Sequence, residues 1–421
     1  KARFPPSAAW PDPAPRDFFN GRDVATPRST YDRSYQLIAA EKNIYYGSSS
    51  DDSMTCRRAS TGEVLWKFYA EGPIRLAPSW HNGKLYFGSD DGFIYCLEAK
   101  TGELVWKTQP VKSQKIPGNQ RLISIFPIRS SILIHNEQGY FVSGFFPKQG
   151  VNYGAVNLKT GKVTGQTKIN TPAQGYLKVI GSKVYTPQGR NGETWLLGLQ
   201  RRGTITVGQR VAITGAYPYS AVSNADYVVR GGNNKVALFE RASGKEVWSS
   251  TVEGRAYSVI IAYDSLYVST DLGSLHCFSL KKAKRYKTGA FYKKAKIALS
   301  ISSSSLKKII DAHANKRGYA LFVGSENIKL AAELVMHSEM KAVICLKKTP
   351  TAEQRAGIVG LENRLHFHIS TSKTLPYGPS IFNIVVAGES VSKKEVSRVL
   401  NPCDGHALHG SAVIVGQPPA D

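Results

Sequence analysis

The five cysteines, Cys56, Cys96, Cys277, Cys345 and Cys403, include no adjacent pair and no CxxC. That excludes a c-type haem attachment site and a zinc ribbon. No apolar run reaches the roughly 18–20 residues of a membrane-spanning helix. There is no GxxxxGK[ST] phosphate loop, and no Ser/His/Asp nucleophile arrangement stands out. Acidic residues are scarce: 31 Asp and Glu face 55 Lys and Arg, leaving a net charge of +24. A balance of that sign draws anionic partners.

The excess charge is concentrated. Between Lys281 and Arg317 there are twelve Lys/Arg and one acid, Asp311. The segment carries no recognisable nucleic-acid motif, so a solvated connector is the plainer reading. Its lysines and arginines (Lys281, Lys282, Lys284, Arg285, Lys287, Lys293, Lys294 and Lys296) are the candidate contacts for an acidic surface or a nucleic acid.

With 421 residues the chain exceeds what one core ordinarily organises, and 42% hydrophobic with 20% charged residues is a globular composition. Its first part repeats. Asn43-Ile-Tyr-Tyr-Gly47 followed by Thr61-Gly-Glu-Val-Leu-Trp66 recurs as Lys84-Leu-Tyr-Phe-Gly88 followed by Thr101-Gly-Glu-Leu-Val-Trp106. Further copies end in Thr160-Gly-Lys-Val-Thr-Gly165, Arg202-Gly-Thr-Ile-Thr-Val207 and Ser243-Gly-Lys-Glu-Val-Trp248, and a worn sixth runs from Asp264 to Phe278. Alternating apolar residues bounded by glycine turns read as short antiparallel strands, and four per unit of about forty residues make a propeller blade. Trp66, Trp106 and Trp248 are predicted to pack between neighbouring blades, because no blade covers both its faces alone. Cys56, Cys96 and Cys277 recur on apolar strands and read as buried free thiols. Asp51-Asp52 and Asp90-Asp91 recur at one turn, where turn chemistry explains them more simply than calcium.

This pattern resembles the PQQ-like, tryptophan-docking propeller repeat over residues 24–288. The resemblance implies eight blades, so the six countable here suggest that a later region or a partner chain supplies the rest. It also implies an exported protein. Quinone dehydrogenases of this class add calcium ligands, an aromatic floor and adjacent cysteines. None is recognisable, and quinone is not expected.

From residue 318 the pattern changes to alternating strands and helices: Gly318 to Gly324, a helix from Ile328, then strands at 342–346, 365–369 and 381–387 with a helix at 392–400. That order predicts a doubly wound parallel sheet. With Leu375-Pro-Tyr377, Phe382-Asn-Ile-Val-Val386 and Val399-Leu-Asn-Pro402, it resembles a class I S-adenosylmethionine-dependent methyltransferase. Pro-rich Ala9-Trp-Pro-Asp-Pro13 and Gly118-Asn-Gln-Arg-Leu-Ile-Ser124 match bacterial fusions of the two modules. The resemblance places the donor site on Gly324, Glu326, Lys347, Thr371 and Asn383. Only Gly324 keeps the family's residue type. Glu326 and Ile328 replace glycines, Lys347 stands where an acid would hold the ribose, and Thr371 and Asn383 replace two further acids. Each lost charge-assisted hydrogen bond costs about 1.5–3 kcal/mol, so two or three remove about a thousandfold in affinity. Lys347 and Lys348 would suit a ribose phosphate, but the glycine pattern that receives a pyrophosphate is broken too.

His366, His368, Cys403, His406 and His409 could bind zinc or copper if folding joined them, yet alternation along a strand accounts for the histidine pair without a metal. The expected fold is multidomain: a Pro-rich extension (1–23), an all-β propeller (24–288), a basic connector (289–317), an α/β Rossmann-like methyltransferase-type domain (318–415) and a tail (416–421). The expected function is a non-catalytic binding or scaffold protein in a larger assembly, with no cofactor. The rivals are an active methyltransferase, a quinoprotein-like periplasmic oxidoreductase and a nucleic-acid binder.

Overall fold

The computed structural model describes residues 33–118, 121–144, 148–170, 173–181, 183–188, 194–197, 204–205, 217–279, 317–362, 364–410 and 412–416. The chain divides into two compact units. One is Lys1–Lys112 with Gly118–Thr288, and the other is Ser113–Pro117 with Gly289–Asp421. The Pro-rich opening with Trp10, all eight basic residues named for the connector, and the tail from 417 lie outside the described residues.

The first unit is a series of antiparallel meanders, each made of neighbours in sequence. Four sheets have four strands, beginning at Leu37, Ser79, Leu133 and Lys178. A six-stranded sheet follows from Ser220 to Ser279. Its strand Glu246–Ala262 is shared. The first part, to Thr251, pairs with Lys235–Phe239, and the second, from Ala256, pairs with Ser265–Thr270. Six blades result.

The repeated Thr-Gly (or Ser-Gly) is the turn before each outer strand. Thr61, Thr101, Thr160 and Ser243 each accept a bond from the backbone N–H two residues on. The glycines after them have φ near +70°, which a side chain would resist. Gly102 and Gly161 have a second reason to be glycine. The Trp66 ring lies against Gly102 and the Trp106 ring against Gly161, each so close that an added Cβ would meet the indole at 2.6 Å. The same indoles donate from Nε1 to Ala99 O and Leu158 O, both at 3.0 Å. One blade's tryptophan thus seals the next blade's turn.

The third of these tryptophans behaves differently. Trp248 is 37% exposed and meets the sixth blade through Phe278, edge to face at 5.3 Å. The sixth repeat reads Lys281-Lys282-Ala283 where the others have Thr-Gly, so it has no glycine to seat an indole. Cys277 is likewise exposed, whereas Cys56 and Cys96 are fully buried; the expectation of three buried thiols holds for two.

The sixth blade packs on the first. Tyr267 joins Tyr35, Leu37, Ile44 and Tyr46 in one buried cluster, with Ile260 and Leu275 against it. The Tyr267 hydroxyl donates to Ala59 O at 3.2 Å. The equivalent Tyr45 of blade one donates to Ala99 O of blade two at 3.3 Å. The last-to-first junction therefore repeats the first-to-second one.

The second unit holds a six-stranded sheet. Its elements are β1 (Tyr319–Val323), α1 (Ile328–His337), β2 (Lys341–Leu346), α2 (Ala352–Ala356), β3 (Leu365–Ile369), β4 (Ile384–Ala387), α3 (Lys393–Val399), β5 (His406–His409) and β6 (Ala412–Val415). The order is β3-β2-β1-β4-β5-β6, parallel except for β6. Buried Ile328, Ala331, Ala332, Leu334 and Val335 form one stripe of α1, the spacing that seats a helix on a sheet. They meet Phe322, Ala342, Ile344, Phe367 and Ile384 in the core. The order reverses between β1 and β4, which opens a crevice at the carboxyl ends of those strands. Ser113–Pro117 belongs to this unit: Lys115 N donates to Pro376 O and Gly378 N to Lys115 O, each at 2.9 Å. Among the described residues no helix is long and apolar enough to cross a membrane.

Candidate functional site

A cleft of about 510 Å³ lies at the carboxyl ends of β1, β2 and β4. Its floor and walls are Gly324 to Glu326 after β1, Cys345 to Thr349 at the end of β2, Thr351 and Gln354 of α2, and Gly388 with Ser390 after β4. The β1–α1 turn is built tightly. Gly324 has φ +104°, its N–H donates to Cys345 O at 3.0 Å, and Asn327 Nδ2 closes the turn onto Val323 O at 2.7 Å. Opposite, Thr351 caps α2 with Gln354 in a reciprocal pair at 3.2 and 2.9 Å, which fixes that wall.

Of the five residues named for a donor site, three meet here. Gly324, Glu326 and Lys347 all line the cleft. The Glu326 carboxylate folds back onto Gly324, into the space a Cβ there would take. Ile328, the other residue that stands for a glycine, is outside the cleft lining and 8% exposed within the sheet's core. Lys347 and Lys348 are exposed on the rim. Thr371, two residues past β3, is exposed and outside the lining.

Asn383 is at the wrong end of the sheet. It precedes β4, which begins at Ile384 rather than 381. Its Oδ1 accepts from Tyr319 N at 3.2 Å, and its Nδ2 donates to Asp404 Oδ1 at 2.9 Å. It ties the amino ends of β1 and β4 together, a full strand length from the cleft. Nearby Tyr377 is fully buried. The loop around it is held by Arg398, whose Nη1 donates to Tyr377 O at 2.8 Å and Nη2 to Leu375 O at 3.1 Å.

The histidines are not brought together. His366 and His368 lie on β3 and His406 and His409 on β5, four strand spacings apart in the sheet order, or about 19 Å. His368 Nδ1 is 3.1 Å from the Tyr377 hydroxyl, and His409 Nε2 is 2.6 Å from Val391 O. Among the described residues no three His, Cys, Asp or Glu are placed to hold a metal ion.

The paired aspartates of the propeller are engaged by the protein itself. Asp91 accepts from Phe93 N, Glu71 N and the Tyr95 hydroxyl at 2.8, 3.0 and 2.6 Å. Asp90 bridges two buried guanidiniums: Arg129 by Nε and Nη2 at 2.8 and 2.7 Å, and Arg75 by Nε at 2.8 Å. Burial works to raise the Asp90 carboxyl, and the two arginines outweigh it, holding it below the usual range. Burial also opposes ionisation of Asp51, but Lys67 at 2.9 Å and the Ser48 and Ser53 contacts bring it down to about 2. The arginine pairing was not legible in sequence, since Arg129 lies thirty-nine positions from Asp90.

The propeller's sequence decides the family. The profile described as outer membrane protein assembly factor BamB matches residues 28–187 and 184–286, more than half of the chain. The chain belongs to the BamB family. The matched residues end at 286, before the strands and helices of the six-stranded, mostly parallel sheet. Among solved structures, BamB from Moraxella catarrhalis is 14% identical, covering 61% of this chain and 77% of that one with a TM-score of 0.30. The quinohemoprotein alcohol dehydrogenase of Comamonas testosteroni is 12% identical over 53% and 44% of the two chains, with a TM-score of 0.32. The Pan2 WD40 domain of Neurospora crassa is 11% identical over 59% and 75%, with a TM-score of 0.33. No curated protein matches the chain.

Proposed function

We propose that this chain is an exported, non-catalytic binding protein of the BamB family that works within a protein assembly. Its α/β unit is then a Rossmann-like, methyltransferase-type domain that no longer takes a methyl donor. The strand order β3-β2-β1-β4-β5 with a crevice at the β1/β4 reversal supports the domain reading. One observation carries the loss of donor binding. The Glu326 carboxylate occupies the approach to Gly324, where a donor's own carboxylate would lie, and the end of β2 offers Lys347 in place of an acid for a ribose diol. The description of the family as an assembly factor, and the propeller as a rigid platform, support a role in binding other chains.

The test is thermal unfolding with 1 mM S-adenosylmethionine. A donor bound with a Kd of about 10 µM would stabilise the α/β unit by about 2.7 kcal/mol. No shift is expected, and a shift of that size sinks the reading. The retained cleft volume favours one rival, an active methyltransferase, and the same experiment separates the two.

A further inference from the structure

The third blade is unlike its neighbours at its outer edge. Blades one and two end in strands tied to the next blade by Trp66 and Trp106. The matching position in blade three is Gly165, and nothing lies within 4 Å of where its Cβ would be. The outer strand, Val163–Ile169, is the last of its sheet, and Thr164 to Lys168 are all exposed. After the bulge opposite Ala155, the ladder runs unbroken from Gly165 to Ile169. That is about 17 Å of unpaired backbone with no proline, and its one charge is Lys168. Sheet edges of this kind are ordinarily blunted or covered.

Glu137 borders the turn into this strand, its C=O accepting from Leu158 N at 3.5 Å, and beyond it the charge along the sequence has one sign. From Gln138 to Gly192 the sequence has seven basic residues and no Asp or Glu. Lys159 and Lys162 flank the turn that enters the strand, and Lys168 lies on it; all three are exposed. Elsewhere in the propeller, lysines at strands meet carboxylates, as Lys67 does Asp51 and Lys107 does Glu71. Among the described ion pairs none involves Lys159, Lys162 or Lys168.

We infer that the outer edge of blade three is a docking site for an acidic, extended segment of a partner protein. The segment adds as a fifth strand along Gly165–Ile169 and sets its carboxylates against Lys159, Lys162 and Lys168. The backbone ladder supplies the affinity and the lysines the choice of sign. A nucleic acid would use the lysines but has no N–H and C=O row to match the strand. This deepens the binding-protein reading and rests on it.

The experiment uses the full chain and a fluorescein-labelled decapeptide of alternating glutamate and valine, followed by anisotropy and by amide hydrogen exchange. Saturable binding that slows exchange at residues 165–169 is expected. Lys162→Glu with Lys168→Glu should weaken it about tenfold. The decapeptide Pro-Glu-Glu-Pro-Pro-Glu-Glu-Pro-Pro-Glu, with the same charge but prolines on both edges of the strand, should not bind. Gln166→Pro and Thr167→Pro serve as backbone variants. One of the two removes an outward N–H and should weaken binding in a chain that melts normally. No binding, equal binding of the proline peptide, protection elsewhere, or tighter binding of a twenty-nucleotide thymidine oligomer at the same residues would each overturn the inference. Donor uptake by the cleft would instead sink the wider reading and leave the strand result intact.

Discussion

Replacing Asp90 tests how the propeller holds its charged interior. Its carboxylate is 1% exposed, between Arg75 and Arg129 side chains that are 3% and 1% exposed. Asp90→Ala takes from two guanidiniums in a dry site the carboxylate they share, and breaking a buried pair in this way costs about 3–5 kcal/mol. For a unit of this size each kcal/mol moves the melting temperature by about 2–4 °C, so a fall of about 6–20 °C is expected. The readout is specific, because no tryptophan occurs from Gly289 to Asp421. Tryptophan emission of the full chain therefore follows propeller unfolding alone. A second variant decides the cause: Asp90→Leu with Arg75→Met and Arg129→Met removes every charge together. It should cost less than Asp90→Ala, because no buried charge is stranded. A triple variant less stable than the single one would refute the reasoning, as would Asp90→Ala melting within about 2 °C of the parent.

Four further outcomes follow from the same structure. Trp66→Phe and Trp106→Phe each remove an indole N–H from a carbonyl of the next blade and should cost about 1–3 kcal/mol in urea unfolding, whereas Trp248→Phe should cost less than either. Gly102→Ala drives a methyl into the Trp66 ring at a positive φ and should destabilise by about 1–3 kcal/mol. The Asp51 carboxyl is held at about 2, below its unfolded value near 3.9, so its contribution is complete above pH 4 and fades as the pH falls towards 2. Asp51→Asn should therefore lower the urea midpoint at pH 6 and make little difference at pH 2. At pH 8, burial keeps the Cys56 and Cys96 thiols near 12 and 11; iodoacetamide should label exposed Cys403 first and reach those two only on unfolding.

The blades were legible because their signals are local. A strand period, a Thr-Gly turn and a tryptophan five residues after the turn's Thr or Ser recur within about forty residues, and each is set by its own neighbours. What closes the propeller is not local. The junction between Tyr267 and Ala59 spans more than two hundred positions, and the fifth and sixth blades share one strand with no turn to mark the boundary. Trp248 carried the motif, but its seat depends on the next repeat, where the glycine is missing. In the α/β unit, strands and helices followed from periodicity, and Gly324, Glu326 and Lys347 converged because they follow strand ends. Asn383 was misplaced by three residues of strand: with β4 starting at Ile384, the position before it falls at the opposite edge. Nothing in Ser113 to Pro117 announces that Lys115 pairs with Pro376 and Gly378.

The central claim is that the cleft of the α/β unit no longer receives a methyl donor, leaving a protein that binds other chains. Calorimetric titration of the full chain with S-adenosylmethionine and S-adenosylhomocysteine tests it most directly. The account predicts no heat of binding up to millimolar ligand. Micromolar binding of either compound, lost in Gly324→Val, would contradict it and return the cleft to catalysis.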